Sequence, residues 1–128
     1  MVSKYRDLRF ITSIDERSAA FFALGLSTAS SIPTAIITTS GTAVANLLPA
    51  SVESDRSCQP LLIITADRPS RLKNCGANQT VNQEDFLISV CRSYEQTPKE
   101  GLQLLSMDEV CTFAKNIWQK IDIFPGPI

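Results

Sequence analysis

Histidine is missing from all 128 residues. Without an imidazole the chain by itself supports neither a serine or cysteine hydrolase with a histidine base nor a His-ligated zinc site. Acid–base chemistry falls to carboxylates, lysines, tyrosines or a cofactor. An excess of one charge is missing too. The 12 Lys and Arg face 13 Asp and Glu, which argues against a broad footprint on nucleic acid or an anionic membrane. The four cysteines at 58, 75, 91 and 111 form no Cys-x-x-Cys pair, so a thiolate zinc site is disfavoured and reduced thiols are expected. Neither of the glycine-rich nucleotide-phosphate fingerprints occurs. No apolar run approaches the length of a membrane span, and MVSKYRDLRF at the N-terminus scatters charge where a signal peptide needs an apolar core. A soluble, cytoplasmic protein is expected.

Hydrophobic residues at 44% and charged residues at 20% fit one ordinary globular domain and argue against disorder. Short β-type runs alternate with longer helical ones, which predicts an open parallel α/β sheet with helices on both faces. Residues 8–14 (LRFITSI) read as a first strand and 15–29 as a helix, with Asp15 as N-cap and Glu16 in the first turn. Ala19 to Leu26 is apolar nearly all round, so packing on a second side is expected. Pro33 opens a strand at 34–39. A helix follows with Val44, Leu47, Leu48 and Val52 on one face and a kink at Pro49. The strand LLIITA (61–66) reads as buried on both faces. Residues 67–83 form a long polar loop at the carboxyl end of that strand, where α/β sheets place ligands. A short helix near 84–88 and an edge strand near 89–96 are expected next. Ser106 and Glu109 form a capping box before Val110, Phe113, Ala114, Ile117, Trp118 and Ile121, a helical stripe. The phenylalanines and the tryptophan read as core, and Phe124 to Ile128 as the approach to another strand.

Several positions have both a structural and a functional reading. Glu16 is either a partner of the helix dipole or a carboxylate turned into a cleft, where it acts as an acid or bonds a cofactor nitrogen. Ser40-Gly41-Thr42 is either a tight turn with a serine cap or a ligand-binding turn at a helix start. Arg68 either pairs with Asp67 to order the loop or clamps a carboxylate. Asn78 and Gln79 are either solvated turn residues or amides that orient a ligand. Cys75 has no base beside it that would make it a nucleophile.

The segments IDERSAAFFALGLS (14–27), TTSGTAVANLLPA (38–50), TADRP (65–69) and CGANQTVNQ (75–83), in this order and spacing, resemble the N-terminal domain of the thiamine-diphosphate enzyme family, in its menaquinone-pathway branch. The likeness covers nearly the whole chain. The stretch from Asn82 to Leu102 is similar to versions from oxygenic phototrophs, where the pathway leads to phylloquinone. The resemblance implies a Rossmann-like domain that grips the aminopyrimidine of thiamine diphosphate. Glu16 matches the glutamate that bonds the pyrimidine ring nitrogen and activates the cofactor. Ser40, Gly41 and Thr42 would lie near that ring. Arg68 matches an arginine that contacts the isochorismate carboxylate, and Asn78 and Gln79 match active-site amides. The implied reaction decarboxylates 2-oxoglutarate and adds the four-carbon unit to isochorismate, giving 2-succinyl-5-enolpyruvyl-6-hydroxy-3-cyclohexene-1-carboxylate (SEPHCHC).

Against the family pattern, a first strand with a Pro-Gly-Ser-Arg loop, a middle domain, and a C-terminal domain that binds diphosphate and Mg²⁺ have no counterpart in 1–128. The expectation is therefore a single pyrimidine-binding domain, incomplete at both ends, without metal ligands of its own. It would be inert and aggregation-prone alone, and part of a homodimer or homotetramer when complete. The alternative is a non-catalytic α/β domain that binds a partner or a small ligand.

Overall fold

The computed structural model describes residues 8–98 and 101–128. Its frame is two parallel strands, β1 (Thr34–Thr38) and β2 (Leu61–Thr65), paired in register from Thr34 with Leu61 to Thr38 with Thr65. The β-branched residues of TAIIT and LLIIT suit a pleated ladder. Parallel pairing requires a crossover, which residues 39–60 supply. Around the strands lie α1 (Glu16–Ser30), α2 (Thr42–Ala45), α3 (Leu48–Arg56), α4 (Glu84–Leu87) and α5 (Met107–Ile123). The parallel α/β architecture expected from the sequence is present. The approach to a further strand is present too. Leu61 N–H donates to Gly126 O at 3.1 Å, and Ile128 N–H to Leu61 O at 3.0 Å, so the C-terminal residues start a third parallel rung beside β2.

Helix α1 begins where Asp15 caps it, its carboxylate accepting from Ser18 N–H at 2.7 Å. Hydrogen bonding from Ser18, by its side chain first and then by its backbone N–H, holds the Asp15 carboxyl below the usual carboxylate range. Ala20, Ala23, Leu24 and Ser27 form the buried stripe of α1. Small residues there let the helix approach the sheet closely, and Ser27 Oγ donates to Pro60 O at 2.6 Å, fastening α1 to the entry of β2. Ala20 and Ala23 join Ile36, Val44, Leu47, Ala50, Leu61 and Leu87 in one core, with Leu48, Ile63, Phe86 and Cys91 packed against it.

Several expectations give way. Pro49 produces a break in place of a kink. A proline lacks the N–H that would continue the helix and its ring clashes with the carbonyl four residues back. The helix stops at Ala45 and restarts at Leu48 with Pro49 in its first turn, where no N–H is required. Residues 8–14 are irregular and exposed, since no strand among the described residues pairs with them. Residues 89–96 form no strand either. They are held by backbone bonds from Val90 and Cys91 N–H to Leu87 O and from Arg92 N–H to Pro127 O, by the Arg92 guanidinium on Asp55, and by a side-chain cluster of Ser93, Glu95 and Lys120. β2 is covered on the face carrying Leu61 and Ile63, whereas Ile64 is exposed beside its register partner Ile37.

The aromatic residues are not all core. Phe21 and Phe22 on α1 and Trp118 on α5 are exposed, because each helix has one covered stripe and turns the rest outward, and Phe10 and Phe124, outside the helices, are exposed too. The α5 capping box forms as expected, Ser106 Oγ accepting from Glu109 N–H and Glu109 accepting from Ser106 N–H. Of the α5 stripe only Ile121 is buried.

Burial, and then the Asp55 carboxylate, pushes the Cys91 thiol from 9.0 up to about 11, whereas Cys58, Cys75 and Cys111 are exposed. At pH 8 the smaller thiolate fraction makes Cys91 react about a hundredfold more slowly than an ordinary thiol. Iodoacetamide labelling of the folded chain, read by peptide mass spectrometry, should modify Cys91 last. The neutral thiol is favoured in the folded state, so its stabilisation is complete below pH 9.0 and is lost as the pH rises through about 11. Equal labelling rates at all four cysteines would refute this packing.

Candidate functional site

Parallel strands release the chain at the same edge of the sheet, so the segments after β1 and β2 emerge side by side. After β1, Ser40 is buried and its Oγ donates to Gln79 O at 3.1 Å. Gly41 follows at φ 81°, in the left-handed region that a side chain disfavours. A Cβ on Gly41 would sit 3.2 Å from both Cα and O of Gln79, so the glycine is also what allows the loop to lie against this turn. Gly41 N–H donates to Gln83 Oε1 at 3.0 Å. The other end of the same amide, Gln83 Nε2, donates to Ala66 O at 2.8 Å, just past β2.

The loop from 67 to 83 folds back over these strand ends. Arg68 Nη2 donates to Gln79 Oε1 at 3.1 Å, while Arg68 Nε is buried without an acceptor among the described residues. Asp67 and Arg68 do not pair through their side chains, which corrects the structural reading of that dipeptide. Asp67 Oδ1 instead accepts from Arg68 N–H at 2.7 Å, and Oδ2 lies 2.8 Å from Lys73 Nζ. Lys73 also stands 3.7 Å from Glu84, so it ties the loop to α4. The Asp67 hydrogen bond raises the Lys73 ammonium above its ordinary range. Asn74, Gly76 and Gln79 all have positive φ, which gives the loop three sharp turns.

Glu16 is half-buried in the first turn of α1, and its Oε2 accepts from Asn46 Nδ2 at 3.1 Å. Asn46 is the C-cap of α2, its N–H donating to Thr42 O. Capping of α1 is done by Asp15, so it does not occupy the Glu16 carboxylate, whose Oε1 has no hydrogen bond among the described residues. Ser40, Gly41, Arg68 and Gln79 therefore form one cluster, with Glu16 joined through Asn46 to the far end of α2. Thr42 is exposed. Asn78 is not drawn in: it is exposed and its side chain makes no hydrogen bond among the described residues.

Sequence reasoning missed two residues, Asn46 and Gln83. The spacing of Gln83 to Leu87 was the available signal, since residues four apart share a helix face and both are buried. Chemically, the site offers a carboxylate with a spare oxygen and a guanidinium with an unsatisfied donor. The carboxylate can accept from an N–H or a protonated ring nitrogen, and the guanidinium can donate to an anionic group.

The sequence profile described as "Thiamine pyrophosphate enzyme, N-terminal TPP binding domain" matches residues 1–104. Over 127 residues, 99% of this chain, the sequence is 58% identical to 2-succinyl-5-enolpyruvyl-6-hydroxy-3-cyclohexene-1-carboxylate synthase of Prochlorococcus marinus strain NATL1A. The protein of the same name from strain MIT 9303 is 66% identical over 113 residues, 88% of the chain. That from Synechococcus sp. strain WH7803 is 57% identical over 127 residues, again 99% of the chain. The chain spans about a fifth of the length of these relatives: 21%, 19% and 22%.

Gly41→Ala introduces a side chain at φ 81° and within 3.2 Å of the Gln79 backbone. The expected cost is about 1–3 kcal/mol, read as a lower midpoint in urea unfolding. An unchanged midpoint would show that the turn relaxes freely and that its shape is not fixed by the loop.

Proposed function

The chain belongs to the thiamine pyrophosphate enzyme N-terminal TPP binding domain family, and from that membership we propose that it forms the pyrimidine-binding part of a thiamine-diphosphate-dependent transferase of menaquinone or phylloquinone biosynthesis. The proposed reaction decarboxylates 2-oxoglutarate and adds the four-carbon unit to isochorismate, giving SEPHCHC. The name shared by the similar proteins supports this reaction. When bound, thiamine diphosphate supplies the electron sink that no side chain of this chain provides.

The observation that carries the proposal is the uncommitted carboxylate of Glu16. With Asp15 taking the cap and Asn46 fixing one oxygen, Glu16 has an oxygen left to share a proton with a pyrimidine ring nitrogen. Its donor chemistry fits the cofactor. Ser40, Gly41 and Thr42 border the ring. Arg68 binds the isochorismate carboxylate, and its buried unpartnered Nε supports an anionic occupant, since an unmet buried donor costs about 1–3 kcal/mol. Gln79 orients Arg68, and Asn78 reaches substrate from the loop. Mg²⁺ and the diphosphate are held by parts of the enzyme other than these residues, and a second copy completes the site in a homodimer or homotetramer. The 128 residues are accordingly inert by themselves. Among the described residues no helix is long and apolar enough to cross a membrane, which is compatible with a cytoplasmic enzyme.

The test is a chimera in which these residues replace the matching segment of the Prochlorococcus marinus NATL1A relative. It should convert 2-oxoglutarate and isochorismate in a cofactor-dependent way. Glu16→Gln in the chimera should slow C2 proton exchange of bound thiamine diphosphate by about 10²–10⁴-fold, the usual contribution of a positioned proton-transfer group. Unchanged exchange removes Glu16 from that role. Arg68→Ala should raise the KM for isochorismate by about tenfold or more, as for loss of a charged hydrogen bond, with cofactor affinity kept. Equal loss of both affinities would make Arg68 structural.

A further inference from the structure

We infer that Gln83 is a positioning residue that locks the cofactor-side turn to the substrate-side loop, an inference that rests on the functional reading above. Its amide spans the two strand exits, accepting from Gly41 N–H at 3.0 Å and donating to Ala66 O at 2.8 Å. These are the backbone groups next to Ser40 on one side and, two residues before Arg68, at the head of the loop on the other. The side chain is buried, with 6% of its surface exposed. Water therefore does not readily replace either bond. The ladder between the strands continues only as far as Ala66 N–H to Thr38 O, at 3.0 Å. Beyond that rung the exits would separate, and Gln83 supplies the next cross-link from outside the sheet.

Two further contacts make the lock specific to the loop. Gln79, four residues before Gln83, carries the Oε1 that holds Arg68 and the carbonyl that accepts from Ser40. Lys73 ties Asp67 to Glu84, the immediate neighbours of Arg68 and Gln83. The loop is thus fastened to the turn that carries Gly41 at Gln79 and Gln83, and its start is tied through Lys73 to the head of α4. Glutamine suits this position because one end must accept and the other must donate. Methionine has similar length and does neither.

The test uses the chimera described above with Gln83→Met, alongside Ser27→Ala as a control. Ser27→Ala removes the buried bond to Pro60 O and lowers stability away from the loop. At a temperature where both variants are fully folded, trypsin should cut the Gln83→Met loop after Arg71 or Lys73 on the order of tenfold faster than the parent or the control, as for a locally opened segment. The KM for isochorismate should rise about tenfold with kcat changed far less, and combining Gln83→Met with Arg68→Ala should add little to Arg68→Ala alone. Additive effects, or equal loop cleavage in Gln83→Met and Ser27→Ala, would overturn the inference. If the parent chimera has no activity, the functional reading fails. The proteolysis comparison then decides the lock by itself.

Discussion

The parallel pairing of β1 with β2 is the constraint on which the site depends. Because both strands run the same way, each must be followed by a connection that returns to the opposite edge, and both connections leave from one place. That geometry gathers the turn at Ser40–Thr42 and the loop beginning at Asp67, although they lie more than twenty residues apart in sequence. It also explains the polar bonds that cluster there. Strand ends present backbone groups that the ladder no longer satisfies, and buried groups of that kind need partners. Ser40, Gln79 and Gln83 provide them.

The interior beneath this edge is built from small side chains with hydroxyls as much as from large apolar ones. Ser27, Ser51 and Ser54 are buried, and each donates to a carbonyl: Pro60, Leu47 and Gln59 respectively. Alanines 20, 23 and 50 fill the space between them. Close approach of α1 to the sheet and of α3 to α1 follows, and with it a firm seat for Asp15 and Glu16 at the head of α1. The large apolar residues lie mostly elsewhere. Phe21, Phe22 and Leu26 line the outer side of α1, and Leu104, Met107 and Trp118 lie on or near α5.

Much of this was legible in the sequence, for local reasons. Asp15 and Ser106 announce helix starts through chemistry that acts over three residues, and both caps form. TAIIT and LLIIT announce strands through β-branched runs, and the loop after the second announces itself by lacking any period. Burial was less legible, because it is decided by what faces a residue. Apolar composition alone could not say that Ile64 would stand exposed beside Ile37, or that Ala114 and Trp118 of the α5 stripe would be exposed while Val110, Phe113 and Ile117 are half-covered. The segments 8–14 and 89–96 have strand-like composition but no ladder to join. At the site, residues with a charge or a distinctive motif stood out, and neutral amides did not. Asn46 and Gln83 act through backbone groups brought close only by the crossover. The bond from Asn46 to Glu16 further depends on the interruption before Pro49, which a periodic reading takes for one bent helix.

The third rung at Gly126–Ile128 gives the sheet two unlike borders. On the β2 side, residues 126 and 128 spend their backbone groups on Leu61 and Ile63, and the outward carbonyl of Pro127 is occupied by Arg92 N–H. Pro127 has no N–H to offer outward. At Pro127 a foreign strand finds neither donor nor acceptor. No described segment pairs with the outer side of β1, where Ile37 is exposed. Among the described residues, the strand backbone left open to a new partner is therefore that of β1.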